Sequence, residues 1–387
     1  MIKRKNIYIY LSIILVISFN HISCDEKYKQ TSNQNQTIEK IDEEKNFLGK
    51  VLAGLVKPQE KISLEVYQNI VKTNAYLNHH NEMQKAWKQA EDIRLKKMRD
   101  WTQIELAHFC NKDHTLFYPF SGPDMLNAQI LFPCAKEYIL FGLEPSGYLR
   151  DITTYKEKDL NQYLYFIRDS LKSILNYSFF RTNDMKVDFF QKLDGVAPIL
   201  LTFLVYNESQ IIRVTPVTLL PDGIVENSTD KGIKGIRFYF KNHSDKIRII
   251  TYYQIDISNE NINHHPYFLE VLQKQSPFVT FLKAASYLMY RDSFSKIREF
   301  ILANSHYIIQ DDSGIPLKSF DRSIWHLTFY GTYTKPIPLF ASRFQPDLKK
   351  IYDKKENIKP LPFGTGYQFY PGTSNLMIAE KKLNKNN

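Results

Sequence analysis

The sequence of 387 residues predicts an α+β fold: a mixed β-sheet covered by amphipathic helices and preceded by a helical segment. Three features support this prediction. Residues 116–142 alternate strand, short helix and strand, which is typical of a β-α-β unit. Residues 158–179 carry apolar side chains at helical spacing, as expected of a helix that covers a sheet. Strand-like segments dominate from residue 211 to residue 257.

The elements follow from periodicity and turn residues. Apolar spacing predicts helices over residues 48–55, 76–104, 123–131, 158–179, 187–193, 196–206, 266–275 and 281–304. Short apolar runs bounded by turn residues predict strands over 116–120, 138–142, 211–220, 236–241, 247–257, 306–310 and 325–333, and a closing hairpin of 367–370 with 375–380. In the long second helix, an apolar stripe that includes Met83, Ile93 and Ile104 should face the core. The Asn-His-His-Asn run at 78–81 predicts a turn near the start of this helix.

Composition excludes several classes of protein. Apolar residues make up 43% of the chain and charged residues 24%, values that exclude disorder, collagen-like repeats and polytopic membrane proteins. The net charge of +10 and the 14% of aromatic residues are spread along the chain. A nucleic-acid-binding protein would cluster its basic residues, so no nucleic-acid partner is expected. Codon usage in an AT-rich genome would produce both values; the alternative is a surface that binds carbohydrate or an acidic polymer.

The amino terminus has the pattern of an export signal. Basic residues 3–5 precede an apolar stretch at 7–19, and Ile22-Ser23-Cys24 follows. This end resembles the signal of bacterial lipoproteins. The resemblance implies cleavage before Cys24, attachment of acyl chains such as palmitate to Cys24, and an extracytoplasmic position in the cell envelope. The alternative is an ordinary signal peptide that leaves a free Cys24.

The predicted organisation has five parts. A signal peptide (1–23) is followed by a polar, disordered tether (24–46). A helical segment (47–107) packs on an α+β domain (108–381), and a short basic tail (382–387) closes the chain. No linker-like stretch interrupts residues 110–380, which favours one globular domain over two.

Two runs predict where a ligand would bind. Ser121-Gly122-Pro123-Asp124 joins the first strand to a helix, and Gly142-Leu143-Glu144-Pro145 ends the second strand. Parallel neighbours would bring both runs to the carboxyl edge of the sheet, where ligands often bind. Ser121, Asp124 and Glu144 are the candidate catalytic or ligand-binding residues. The alternative is that Asp124 only starts a helix and Glu144 only caps a loop.

These two runs, together with aromatic-rich segments near the carboxyl terminus at 325–333 and 366–376, resemble an uncharacterised family of exported bacterial proteins. The resemblance spans about residues 108–380 and implies no particular activity. Asp124 occupies the helix terminus that a phosphate would need, which disfavours a phosphate and leaves a cationic ligand such as a sulfonium open. The sequence has no zinc-binding, Walker or hydrolase-elbow motif, so no metal or cofactor is expected.

Cys110 and Cys134 are the cysteines that remain beyond Cys24. Each precedes a strand of the β-α-β unit by a few residues, so a parallel pairing would place them at one edge. Export permits a disulfide between them; two separate thiols are the alternative. The sequence therefore predicts a membrane-anchored lipoprotein whose domain binds an envelope partner or small ligand, or has a structural role. The alternative is an exported hydrolase or transferase that uses a carboxylate pair.

Overall fold

The computed structural model describes residues 40–180, 193–242 and 244–382. The predicted signal peptide, residues 24–39 of the predicted tether, the predicted helix at 187–193 except its last residue, and residues 383–387 lie outside them. The described residues from Ile41 onward belong to one compact unit. None of the described helices is both long enough and apolar enough to span a bilayer.

Helices cover both faces of a single sheet. The α-helices are α1 (Glu43–Leu52), α2 (Glu65–Gln68), α3 (Asn74–Ala90), α4 (Lys96–Glu105), α5 (Met125–Leu131), α6 (Glu157–Tyr177), α7 (Ala197–Tyr206), α8 (Asn259–His264), α9 (Tyr267–Gln273), α10 (Ser295–Asn304) and α11 (Pro346–Lys354). A π turn, Glu91–Leu95, joins α3 to α4, and a 3₁₀ helix spans Ala284–Tyr290.

The described strands form one mixed sheet, which confirms the predicted fold class. They are β1 (Thr115–Tyr118), β2 (Glu137–Gly142), β3 (Gln210–Leu220), β4 (Gly223–Glu226), β5 (Ile233–Lys241), β6 (Ile247–Gln254), β7 (Phe278–Leu282), β8 (Ser305–Gln310), β9 (Trp325–Gly331), β10 (Ile358–Lys359) and β11 (Asn375–Lys381). Their order is β10-β9-β11-β8-β7-β1-β2-β6-β5-β3-β4.

The centre of this sheet is parallel and doubly wound. Strands β8, β7, β1, β2 and β6 all run in the same direction. From β1 the chain moves outward through β2 to β6, then returns to β7 on the other side of β1 and continues to β8. The β-α-β unit of β1, α5 and β2 is present as predicted. Strands β5, β3, β4 and β11 add antiparallel pairs.

Alternating residues of the central strands divide the core into two layers. Tyr118 and Leu140 pack with the helices of the first half of the chain, including α1, α3, α6 and α7. Phe117 and Phe141 pack on the other face with α9, α10 and α11. Central parallel strands are therefore buried on both faces, as expected for such a sheet. The predicted helical segment shares the first of these layers.

Four boundary predictions are wrong. The tether was expected to reach residue 46, but α1 begins at Glu43, capped by the side chain of Asp42. The turn predicted at 78–81 lies inside α3, because His79 and His80 find carbonyl partners in Leu52, 2.9 Å away, and Gly54, 2.8 Å away. The polar run is thus a contact between helices.

The other two errors concern strands. Residues 281–304 were predicted as one helix, whereas β7 ends at Leu282 and α10 begins only at Ser295. The closing hairpin is absent, because β11 pairs with β8 and β9. Strand pairing over a long sequence separation decides both cases, and local periodicity carries no information about it.

The predicted apolar stripe is only partly buried. Met98 and Trp101, which belong to it and follow the π turn, are buried as predicted. A π turn holds more residues than an α-helical turn and so shifts the helical phase where it occurs. Ile93 and Ile104 were expected in the core, yet they are 47% and 78% exposed. Arg94 and Leu95 are buried in their place. This places a cation in the core that the periodicity did not predict.

Candidate functional site

A cavity of about 240 Å³ opens at the carboxyl ends of β1, β2, β6 and β7. This is where the chain reverses its direction of winding, since β2 and β7 lie on opposite sides of β1. Ligands of open α/β sheets bind in the crevice at such a switch point, because the loops on its two sides diverge. We refer to it below as the switch-point cavity.

All three residues predicted as a site line this cavity. Ser121, Asp124 and Glu144 are each buried, and each contributes to its wall. The parallel pairing of β1 with β2 brings them together, as the sequence argument required. The structure does not give them equivalent roles, however, since their hydrogen-bond partners differ.

Ser121 joins the two strands. Its Oγ accepts a hydrogen bond from the backbone N–H of Phe141 at 3.1 Å and lies 3.3 Å from the carbonyl oxygen of the same residue. The N–H of Gly122 donates to that carbonyl at 2.9 Å. These contacts fix the loop after β1 to the end of β2, so Ser121 shapes the cavity wall.

The loops around the cavity contain unusual backbone conformations. Phe120, Gly122 and Ala284 adopt φ values of 59°, 52° and 59°. For Phe120 and Ala284 the left-handed conformation is costly, by roughly 1–2 kcal/mol per residue, because Cβ approaches the carbonyl oxygen. Such strain is typical of ligand-binding loops, where surrounding structure enforces it. Both loops, after β1 and after β7, border the cavity.

Asp124 accepts hydrogen bonds from several groups of the protein. It caps α5 by accepting the N–H of Asn127 at 3.1 Å, and it accepts the hydroxyl of Tyr118 at 2.8 Å. The Nζ of Lys283 lies 2.6 Å from its Oδ2. A carboxylate has about four acceptor positions, and these donors together with the amide of Asn127 occupy them. Asp124 is therefore committed to contacts within the protein.

Lys283 is the residue that sequence reasoning missed. It follows β7 directly and is 3% exposed, with its Nζ also donating to the carbonyl oxygen of Ser178. Burial lowers the pKa of Lys283, and the neighbouring Asp124 opposes this shift. No local signal marked this lysine, because the segment around it was predicted as a helix interior.

A second buried cation lies near this ion pair. Arg94, in the π turn, donates from one terminal nitrogen to the carbonyl oxygen of Ile174 at 2.7 Å. Burial lowers the pKa of Arg94 to about 10, while the charge of Asp124 acts to raise it. Arg94 does not line the cavity. Its positive charge interacts favourably with the carboxylate of Asp124 from outside the cavity lining.

Glu144 has a different setting from Asp124. It lies two residues beyond β2 and is 3% exposed, with Oε2 at 3.4 Å from the hydroxyl oxygen of Tyr252. The Tyr252 hydroxyl donates more closely to the Glu144 carbonyl, at 2.9 Å. Burial, and then the charge of Glu144, raise the pKa of Tyr252 well above its ordinary value.

Gly142 permits the close approach of these loops. A Cβ atom there would lie 2.4 Å from the Tyr252 hydroxyl, 2.5 Å from Oε2 of Glu144 and 3.2 Å from Cα of Gly122. Only glycine fits without displacing the other loop or the carboxylate. The end of β2 is thus built to bring Glu144 against the loop after β1.

The rest of the lining is largely aromatic and aliphatic. Leu143, Ile255 and Ile257 follow the ends of β2 and β6, and aromatic side chains form much of the remaining wall: Phe120, Phe141, Phe179, Phe180, Phe294 and Tyr367. Asp256 stands exposed at the rim, and its Oδ1 accepts the N–H of Ser258 at 2.8 Å. Such a mixture of apolar walls and few polar groups is typical of sites for small organic molecules.

A buried acidic pair lies just behind the 3₁₀ helix. Asp311 accepts the N–H of Ala284 at 3.2 Å and the N–H of Ser313 at 2.9 Å. Asp312 accepts from the amide of Asn375 at 2.9 Å and from the hydroxyl of Tyr287. Burial, together with Asp312, raises the pKa of Asp311 to about 7. This pair supports the backbone of the loop that carries Lys283.

The cysteine pair lies at the opposite edge of the sheet. Cys110 and Cys134 are joined in a disulfide with Cα atoms 5.1 Å apart. They precede β1 and β2, so the bond ties the amino-terminal ends of these strands. Of the two alternatives left by the sequence, the structure contains the bridge.

Within the described ranges, no group of three or more His, Cys, Asp or Glu side chains is arranged to hold a metal ion. Comparison of the chain with protein-family models, with curated proteins and with solved structures gave no match. The geometry of the switch-point cavity is therefore what bears on function.

Proposed function

We propose that this protein is a lipid-anchored protein of the bacterial cell envelope whose extracytoplasmic domain binds a small organic molecule in the switch-point cavity. The anchor would be Cys24. The lipoprotein-like signal supports the anchor, and the Cys110–Cys134 disulfide supports an oxidising compartment outside the cytoplasm.

The observation that carries the binding function is the cavity itself. It lies at the switch point of a doubly wound sheet, has apolar walls, and includes the buried carboxylate of Glu144. A domain with a purely structural role has no need of strained loops at Phe120 and Ala284 around a cavity. These features favour ligand binding over a scaffold.

The hydrolase or transferase alternative needs Asp124 and Glu144 as an acid/base pair. Two neighbouring carboxylates exchange a proton with a substrate only if each can reach it. Asp124 instead pairs with Lys283 and satisfies Tyr118 and Asn127. This geometry supports binding in preference to catalysis by that pair.

The test is recovery of a bound molecule. The full chain, purified in detergent from its native membrane, is analysed by native mass spectrometry and then denatured to release small molecules. Ala285→Trp should fill the cavity, since Ala285 lines it, and should abolish the bound mass. Ala303→Trp, at an exposed position of α10, is the matched control.

The expected result is one small molecule in the wild type and the control but not in Ala285→Trp. The proposal is wrong if no molecule is recovered and a metabolite library leaves the melting temperature of the wild type unchanged. It is also wrong if Ala285→Trp folds and retains the molecule.

A further inference from the structure

We infer that Lys283 binds the ligand of the switch-point cavity covalently, as an imine, and that the ligand is therefore an aldehyde or ketone with an apolar body. This inference rests on the proposed binding function and adds the chemical class of the ligand. Three observations lead to it: the position of Lys283, the charged groups beside its amine, and the apolar walls of the cavity.

Lys283 places a primary amine in the wall of the cavity. It directly follows β7, which ends at Leu282, and it lines the cavity together with Asp124 and Tyr118. Within the part of the chain that the structure describes, Lys283 is the one lysine of this lining. A lysine that is desolvated in an apolar pocket is a typical nucleophile toward carbonyl groups, with which it forms an imine.

The charged groups beside the amine supply a base and favour its neutral form. The Oδ2 atom of Asp124 lies 2.6 Å from Nζ, so a proton can move from the ammonium to the carboxylate along this contact. Burial lowers the pKa of Lys283, the charge of Asp124 acts to raise it, the charge of Arg94 lowers it, and that of Asp311 raises it. A second cation near a desolvated lysine is a recognised way to activate its amine.

Stability alone does not explain an ion pair at this place. Apolar residues of similar size in the position of a buried ion pair often leave a protein equally stable or more stable. The pair of Lys283 and Asp124 also borders the cavity at the carboxyl edge of the sheet, where ligands of such folds bind. A role for the amine in binding accounts for both its burial and its location.

The walls of the cavity indicate what the carbonyl group is attached to. Phe120, Leu288, Phe294 and Tyr367 line the space, whose volume is about 240 Å³. Aromatic and aliphatic walls favour a ligand that buries an apolar surface against them. The volume restricts the ligand to a small molecule. A small apolar aldehyde or ketone meets both conditions.

The reaction balances with the groups that are present. Asp124 takes one proton from the Lys283 ammonium, and the neutral amine adds to the carbonyl carbon of the ligand, forming a C–N bond. The carbonyl oxygen receives one proton from the amine and then the proton held by Asp124, and it leaves as water. One ammonium and one carbonyl group thus give one iminium and one water, without an oxidant or reductant.

The product keeps the buried charges paired. The iminium retains one N–H and its positive charge, which stays beside the Asp124 carboxylate. The carbonyl oxygen of Ser178, which now accepts from Lys283, would lose this donor. It still accepts from the side-chain amide of Asn127 at 3.4 Å. Formation of the imine therefore leaves neither charge unpaired.

The test is reductive trapping on the full-length protein in detergent. Propanal, hexanal and benzaldehyde are each added with sodium cyanoborohydride, which transfers hydride to an iminium carbon and gives a stable secondary amine. Digestion and tandem mass spectrometry then locate the label, which adds the mass of the aldehyde less one oxygen atom. Lys359, paired with Glu105 at 2.8 Å and 49% exposed, is the matched control for an accessible lysine.

We expect at least one aldehyde to label Lys283 at least about tenfold faster than Lys359 at pH 7, because an exposed lysine is almost fully protonated at this pH. Ala285→Trp, which fills the cavity, should abolish the label at Lys283 and leave that at Lys359 unchanged. Ala303→Trp, exposed on α10, should change neither. When the protein is purified from its native membrane with cyanoborohydride, the natural ligand should stay on Lys283 after denaturation.

The inference is wrong if no aldehyde labels Lys283, if Lys283 and Lys359 are labelled at equal rates, or if Ala285→Trp folds and keeps the label. A natural ligand that denaturation still releases after reduction is held without an imine, so the inference fails while the proposed binding function stands. If no molecule is recovered, the metabolite library has no effect and Lys283 stays unlabelled, both fail. Trapping on the wild-type chain needs no substitution, so it decides the matter even if Ala285→Trp does not fold.

Discussion

Replacing Lys283 by methionine should destabilise the fold strongly. Lys283 and Asp124 are 3% and 2% exposed, and their charged atoms lie 2.6 Å apart. Methionine keeps the length of the side chain and removes its charge. Asp124 would then remain buried with Tyr118 and Asn127 as donors and without its cation. Removal of one partner of a buried ion pair typically costs about 3–5 kcal/mol of the free energy of unfolding.

Urea unfolding of the full chain, followed by far-UV circular dichroism, measures this loss. With a urea slope of about 3 kcal/mol per M, the midpoint should fall by roughly 1–1.7 M. The matched control is Lys359→Met. Lys359 pairs with Glu105 at a similar distance, 2.8 Å, but its side chain is 49% exposed. An exposed ion pair contributes at most about 1 kcal/mol, so the urea midpoint of Lys359→Met should be close to that of the wild type.

The double variant Asp124→Asn with Lys283→Met separates charge from packing. Asparagine still caps a helix, so α5 keeps its N-cap while the unpaired charge disappears. This double variant should be more stable than Lys283→Met alone. The reasoning is refuted if Lys283→Met costs no more than Lys359→Met, or if the double variant is the less stable of the two.

Further predictions concern titration, the disulfide and the anchor. Because the pKa of Asp311 is raised to about 7, the stability that Asp311 contributes should be present below about pH 4 and lost as the pH rises to 7. Urea unfolding at several pH values measures this dependence of the free energy of unfolding on pH, and Asp311→Asn should remove it. His79 should act in the opposite direction, because burial lowers its pKa to about 3. The free energy of unfolding should fall as the pH drops below about 6.5, and this fall should be absent in His79→Gln. Cys110→Ser with Cys134→Ser should lower the free energy of unfolding by about 2–4 kcal/mol, and reductant should then have no further effect on the variant. Cys24→Ala should abolish labelling by radioactive palmitate; a wild-type chain that takes up no label would argue against the anchor.

The sequence was sufficient for the local features of the site. Ser121, Asp124 and Glu144 were found because a strand, a small-residue turn and a proline mark the edge of a β-α-β unit. That unit closes within about 30 residues, so one short crossover decides its geometry. The disulfide alternative followed from the same unit, since Cys110 and Cys134 flank its strands.

The partner of Asp124 could not be predicted in this way. Lys283 follows β7, a strand buried on both faces, and such a strand has no alternating pattern that distinguishes it from a buried helix. Its place beside β1 depends on pairing between segments about 160 residues apart. Arg94 was missed for another reason, because the π turn changed the helical face that its spacing implied.

The sequence by itself determined the fold class, the β-α-β unit and the loops that carry Ser121, Asp124 and Glu144, because these depend on neighbours along the chain. Only the tertiary structure decided what those residues do. Long-range strand order placed Lys283 against Asp124 and brought both residues into the wall of the cavity that Glu144 also lines. The physical reason is that a buried charge is stabilised by whatever group the fold brings within hydrogen-bond distance, and that group lies far away in sequence.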